Sequence, residues 1–140
     1  MKVKIAAFSA VIGLVLSAPG VIAHHSFAAE FDAAKALTLK GIVTKIEWAN
    51  PHTYFYMDVT ESEGKVVNWG MEMGSPNGLM RQGWTRNTLH VGDEVTVEGS
   101  QAKDGAHVGN ARVVTLAATG KRLFAASSQT DTPQQQQQQR

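Results

Sequence analysis

From residue 37 to residue 117 apolar side chains recur at every second position, in short runs divided by turn residues. Such alternation marks strands with one buried face, so the chain is limited to an all-β architecture. Residues 37–48 read L-T-L-K-G-I-V-T-K-I-E-W, with Leu37 and Leu39 on one face and Ile42, Ile46 and Trp48 on the other. A glycine at a slip in the alternation predicts a β-bulge at Gly41, and a bulge bends a strand strongly. Asn50-Pro51 is a turn signal. Residues 53–60 form a second strand, with Phe55, Met57 and Val59 on one side and Tyr54, Tyr56 and Asp58 on the other. After the turn at residues 61–64, residues 65–73 form a third, on which Val67, Trp69, Met71 and Met73 face one way.

One stretch breaks the rule. Ser75-Pro76 opens a segment that closes on Gly83, which fits one or two helical turns. Residues 93–99 and 110–117 are then the fourth and fifth strands, and a short extension ends at Phe124. Three strands, a short helix and two strands is the chain order of a small five-stranded OB-like Greek-key barrel. Closure of that kind removes sheet edges. An open β-sandwich is the alternative architecture.

The ends of the chain differ in kind from its middle. Lys2 and Lys4 precede an uncharged apolar run, residues 5–18, and then Pro19-Gly20 and V21-I22-A23. Positive, apolar and small-residue regions in that order predict a secretory signal, residues 1–23, removed after Ala23. The run is short of the roughly 20 residues of a membrane span, so no stable membrane anchor is expected after cleavage. Residues 24–36 are then an N-terminal segment, residues 37–124 the barrel domain, and residues 125–140 a disordered tail ending in six glutamines and Arg140. Two of the thirteen Lys and Arg leave with the signal, so eleven face twelve Asp and Glu. A near-neutral domain lacks the basic stripe that phosphate backbones demand, which argues against nucleic acid. The chain has no cysteine. In the periplasmic or secreted setting that a signal implies, the core carries the fold without disulfides.

The segments H24-H-S-F-A-A-E-F-D32, T44-K-I-E-W-A-N-P-H52, Trp69 with Glu72, S75-P-N-G-L-M-R-Q-G-W84 and G92-D-E-V-T-V97 occur together. In this the chain resembles a family of small exported bacterial proteins catalogued as a domain of unknown function, from His24 to about Phe124. The resemblance implies export and a compact β domain, and draws attention to the His-His opening, the N-P-H turn and the Trp-Glu pair. Ala36, where proline is expected before the first strand, is a departure that touches only the strand's entry.

Cleavage after Ala23 would make His24 the amino terminus. An α-amine titrates near about 8 and an imidazole near about 6.5, so both offer lone pairs around neutral pH. An amino-terminal histidine chelates through its backbone nitrogen and ring, and planar nitrogen donors favour Cu(II). His25 adds an imidazole next door, and His52, on the stiff Asn50-Pro51 turn, is the donor expected from the fold. Glu72 is a candidate ligand or a group that orients a ligating ring. The plainer readings are a solvated end for His24 and His25, a turn or packing role for His52 against Trp48, and an anchor for the helix or for Arg81 or Arg86 in Glu72. His90 and His107 lie in turn contexts outside the site.

A different class of function rests on the aromatics. Tyr54, Tyr56 and Trp48 lie on or beside the strands that form the usual binding face of an OB-type barrel, which could hold a partner protein or a small solute. Trp69, in phase with Val67 and Met71, is expected in the core, and Trp84 at the barrel's end. No catalytic role is expected. The chain lacks a cysteine nucleophile, a phosphate-cradling glycine loop, a nucleophile-elbow serine and an H-E-x-x-H pair. The one route to catalysis would be oxidative copper chemistry at His24.

Overall fold

The computed structural model describes residues 27–126. A four-residue helical turn, α1 (Phe27–Glu30), runs directly into β1 (Phe31–Glu47). There follow β2 (Tyr54–Thr60), β3 (Val66–Glu72), a short helix α2 (Pro76–Arg81), β4 (Glu94–Ala102), β5 (Val108–Leu116) and β6 (Arg122–Phe124). β1 pairs antiparallel with both β2 and β4, β2 with β3, and β4 with β5. A parallel pairing of Gly70, Met71 and Glu72 with Val108, Gly109 and Asn110 joins β3 to β5. The strands therefore return on themselves as a ring. A sixth strand, where five are expected, lies against the far half of β5.

Alternation determines what fills the ring. Phe55, Met57 and Val59 from β2, with Val67, Trp69 and Met71 from β3 and Met73 just beyond it, are all buried, as are Val95, Val97 and Val114 across the interior. Each such side chain contributes about 1.5–3 kcal/mol relative to exposure. Trp84 is 2% exposed, and its Nε1–H donates to Phe124 O at 2.8 Å, tying the segment after α2 to β6. Ser75 caps α2 by accepting from Gly78 N at 3.1 Å, and Pro76 sits in its first turn.

Two details differ from the reading of the sequence. The slip in β1 falls between Val43 and Lys45, not at Gly41. The inward phase of Leu37 and Leu39 continues through the glycine to Val43, 1% exposed, while Ile42 stands 42% exposed. Gly41 serves a close approach instead, since a Cβ there would lie 2.5 Å from Asp58 O. Paired and packed chain also extends past residues 37–124 at both ends. Phe31 pairs with Ala102 and is buried, so part of the segment before residue 37 is strand. At the other end Ala125, expected in the tail, is buried, donates its N–H to Arg112 O and accepts from Gly74 N. The expected signal and glutamine run lie outside the described residues.

Gly41→Ala and Gly99→Ala should each destabilise the domain by at least about 1–3 kcal/mol. Both added methyls meet backbone, Asp58 O in the first case and Asn110 O, at 2.0 Å, in the second. Urea unfolding against Thr38→Ala, an exposed β1 position, measures it. Equal midpoints for all three variants would contradict the close approaches.

Candidate functional site

Ring closure sets three polar side chains in one row. Tyr54 is opposite Glu72 across β2 and β3, and Glu72 is opposite Asn110 across β3 and β5. Opposed residues on one face come within contact. The Tyr54 hydroxyl donates to Glu72 Oε2, and Asn110 Nδ2 donates to Glu72 Oε1 at 3.4 Å. Glu72 is 7% and Asn110 2% exposed, so the carboxylate is met mainly by protein donors.

His52 completes the cluster. It follows the Asn50-Pro51 peptide, which is cis. Beyond the strand ends Thr53 N donates to Gly74 O at 3.0 Å and Met73 N to Thr53 O at 2.8 Å. These bonds hold the His52 backbone against the end of β3. The ring's Nδ1 lies 3.1 Å from Glu72 Oε1 and 3.2 Å from Met73 O. Its side chain keeps 20% exposure.

Tyr56 belongs to a neighbouring, more open group. Its hydroxyl donates to Glu47 Oε2 at 3.2 Å, Glu47 pairs with Lys45, and Lys45 Nζ stands 5.1 Å from the Tyr56 ring centroid. The ring lies across Gly70, where a Cβ would come 3.3 Å from Tyr56 Cε1. Charges this exposed contribute little to stability.

Of the residues expected from the sequence, His52, Glu72 and Tyr54 are brought together. Tyr56 shares the outer face of β2 with Tyr54, whereas Trp48 is half-buried and packs against the core, which removes it from that face. Glu72 bonds to Tyr54, His52 and Asn110 rather than to Arg81 or Arg86. His24 and His25 lie outside the described residues. His90 caps a turn through its N–H to Asp93 Oδ2 at 2.8 Å, and His107 sits edge-on to the buried Trp69, ring centroids 5.1 Å apart. Asn110 is the residue that sequence reasoning missed. Its place beside Glu72 depends on the register of two strands remote in sequence, and an asparagine at a strand's start carries no local sign of it. Among the described residues no three His, Asp or Glu side chains converge as a metal-holding group. Chemically, the cluster offers one partly exposed imidazole backed by a buried carboxylate.

The N-terminal segment reaches this cluster electrostatically. Tyr54 is held well above the ordinary phenol range, chiefly by burial, then by its bond to Glu72 and the Glu72 charge, and further by the charge on Glu30. Tyr56 is raised too, by burial and then by Glu47.

A family model described as a family of unknown function, DUF6152, matches residues 12–111, and the chain belongs to that family. No curated protein and no solved structure matches the chain.

The chain's two tyrosines should therefore both ionise above the ordinary phenol value of 10.0. Ultraviolet titration of the phenolate band should lose its later component in Tyr54→Phe. A phenol raised on folding favours the native state fully below its unfolded value and less as pH climbs toward its folded one. The wild-type melting temperature should thus fall more steeply above pH 10.0 than that of Tyr54→Phe. Matching alkaline limbs, or a Tyr54 that titrates normally, would contradict the described contacts.

Proposed function

We propose that this chain is an exported, periplasmic or secreted OB-like binding or accessory protein. It holds Cu(II) at the amino terminus left by signal removal, with His24 and His25 as local donors and His52 as the donor from the fold. The OB-like reading is supported by the ring order β1-β2-β3-β5-β4 and the helix between β3 and β4, with β3 and β5 parallel. Its role is to bind and not to catalyse.

The observation that carries the metal reading is the His52 ring, 20% exposed, with its Nδ1 3.1 Å from Oε1 of the buried Glu72; the charge of Glu30 bears on the same cluster through Tyr54. Tyr54 bonds Glu72, and Glu72 is in contact with His52. Glu30 follows His24 by six residues, a chain length of at most about 20 Å when extended. A terminal chelate is thus within tether reach of an imidazole that the fold presents beside a buried carboxylate. Copper suits that donor set, since imidazole and amine nitrogens in a plane are its preferred ligands.

A second reading rests on a different observation. Tyr56 packs across Gly70 with Lys45 Nζ over its ring, and with Tyr54 it makes a small aromatic face. A metal-free module could hold a partner protein or a small solute there, a flat polar molecule being the best match.

Competition titration of the processed protein with Cu(II) separates the two. Placing one extra residue before His24, or changing His52→Ala, should each weaken binding at least about tenfold. Unchanged affinity in both would sink the copper reading and leave the aromatic face as the functional surface.

A further inference from the structure

We infer that Tyr54, Glu72 and Asn110 are positioning residues that preset His52 as a metal ligand through Nε2. The inference rests on the reading of His52 as a ligand and says how the fold prepares it.

The tautomer of His52 is decided at Nδ1. This nitrogen faces two oxygens, Glu72 Oε1 at 3.1 Å and Met73 O at 3.2 Å. Both are acceptors only, the second because a carbonyl has no proton to give and the first because its carboxylate already accepts from Asn110 and Tyr54. A bare lone pair on Nδ1 would be pressed against two others, so Nδ1 carries the proton. In the neutral ring the lone pair then falls on Nε2. Metal-bound histidines commonly donate the other ring N–H to a carboxylate or a backbone carbonyl, which sets the tautomer and the ring's aim. Here both kinds of acceptor are present at one nitrogen.

The carboxylate must itself be held. Glu72 has two oxygens, and each has its own anchor: Tyr54 on Oε2 and Asn110 on Oε1. The anchors come from opposite sides, β2 and β5, so the carboxylate cannot turn without breaking one of them. Asn110 is 2% exposed, and a buried amide of this kind is retained at a desolvation cost that a mere filler would not carry. An apolar residue of similar volume would close the same space. Imidazole set in this way suits copper, zinc or nickel and does not suit calcium or magnesium, which take oxygen donors.

Nitrogen-15 NMR of the imidazoles in metal-free protein, with the ring neutral, reads the tautomer directly. His52 should show a protonated Nδ1 and an unprotonated Nε2. The opposite pattern in the wild type would overturn the inference without any variant having to fold. In Asn110→Leu and Tyr54→Phe the tautomers should become mixed, and affinity for Cu(II) in a glycine-buffered solution should fall by about 10–100-fold. The electron paramagnetic resonance hyperfine pattern should change with it. Glu72→Gln, which keeps an acceptor oxygen and loses the charge, should fall between wild type and Asn110→Leu. If these variants kept wild-type affinity and spectrum, the three residues would be structural only and the inference would fail. His52→Ala is the separate control. If it leaves affinity unchanged, His52 is not a ligand and the inference fails, whereas the copper reading fails only if the extra residue before His24 is without effect as well.

Discussion

Three residue pairs of parallel sheet, Gly70–Glu72 against Val108–Asn110, carry both the architecture and the site. Without them β3 and the first half of β5 would be free edges, and the row of β strands would be an open sheet with its apolar face unsealed. With them the interior is enclosed, and Asn110 arrives beside Glu72 although 38 residues separate the two. Fold and cluster are thus one feature. A chain without cysteine has no covalent substitute for that closure.

Glu72 is the costly element. A carboxylate that is 7% exposed loses much of its hydration, and removing a charge from water is unfavourable unless hydrogen bonds replace what is lost. Here the replacement comes from a phenol, an amide and an imidazole, none of them a permanent cation. Such a network is weaker than a guanidinium pair but directional, and direction is what the role proposed for His52 requires. Tyr54, raised by burial and then by its bond to Glu72, and the proton we infer on His52 Nδ1 both border the same enclosed carboxylate. Beside it, the Lys45–Glu47–Tyr56 group is open to solvent and makes no comparable demand on the fold.

Much of this was legible in the sequence where the relevant physics is local. Alternation in residues 53–60 and 65–73 assigned the inward faces of β2 and β3 correctly, because period two is a property of the strand itself. The same logic misplaced the slip in β1. It treated Gly41 as a bulge when the glycine is needed for approach to Asp58 O, and the extra residue is Thr44. Residues 31–36 carried no alternation, and the stretch belongs to β1 with Phe31 and Ala36 paired to Ala102 and Ser100 of β4 on either side of a register shift. The site was half legible. His52, Glu72 and Tyr54 could be named, while Asn110 could not, since its role exists only once remote strands are in register. Alternation put Trp48 in phase with Ile46, and both pack against the core, which leaves Trp48 off the outer face that carries Tyr54 and Tyr56.

The central claim is that the exposed terminus and the fold meet at one metal ion, and paramagnetic broadening tests it most directly. One equivalent of Cu(II) added to the processed, nitrogen-15-labelled protein should erase the amide signals of His52, Thr53, Tyr54 and Met73. Those of Glu61–Gly64, which lie beyond the far end of β2, roughly 20 Å along the strand from Tyr54, should stay sharp. Broadening confined to the first few residues, with the signals around His52 untouched, would contradict the account.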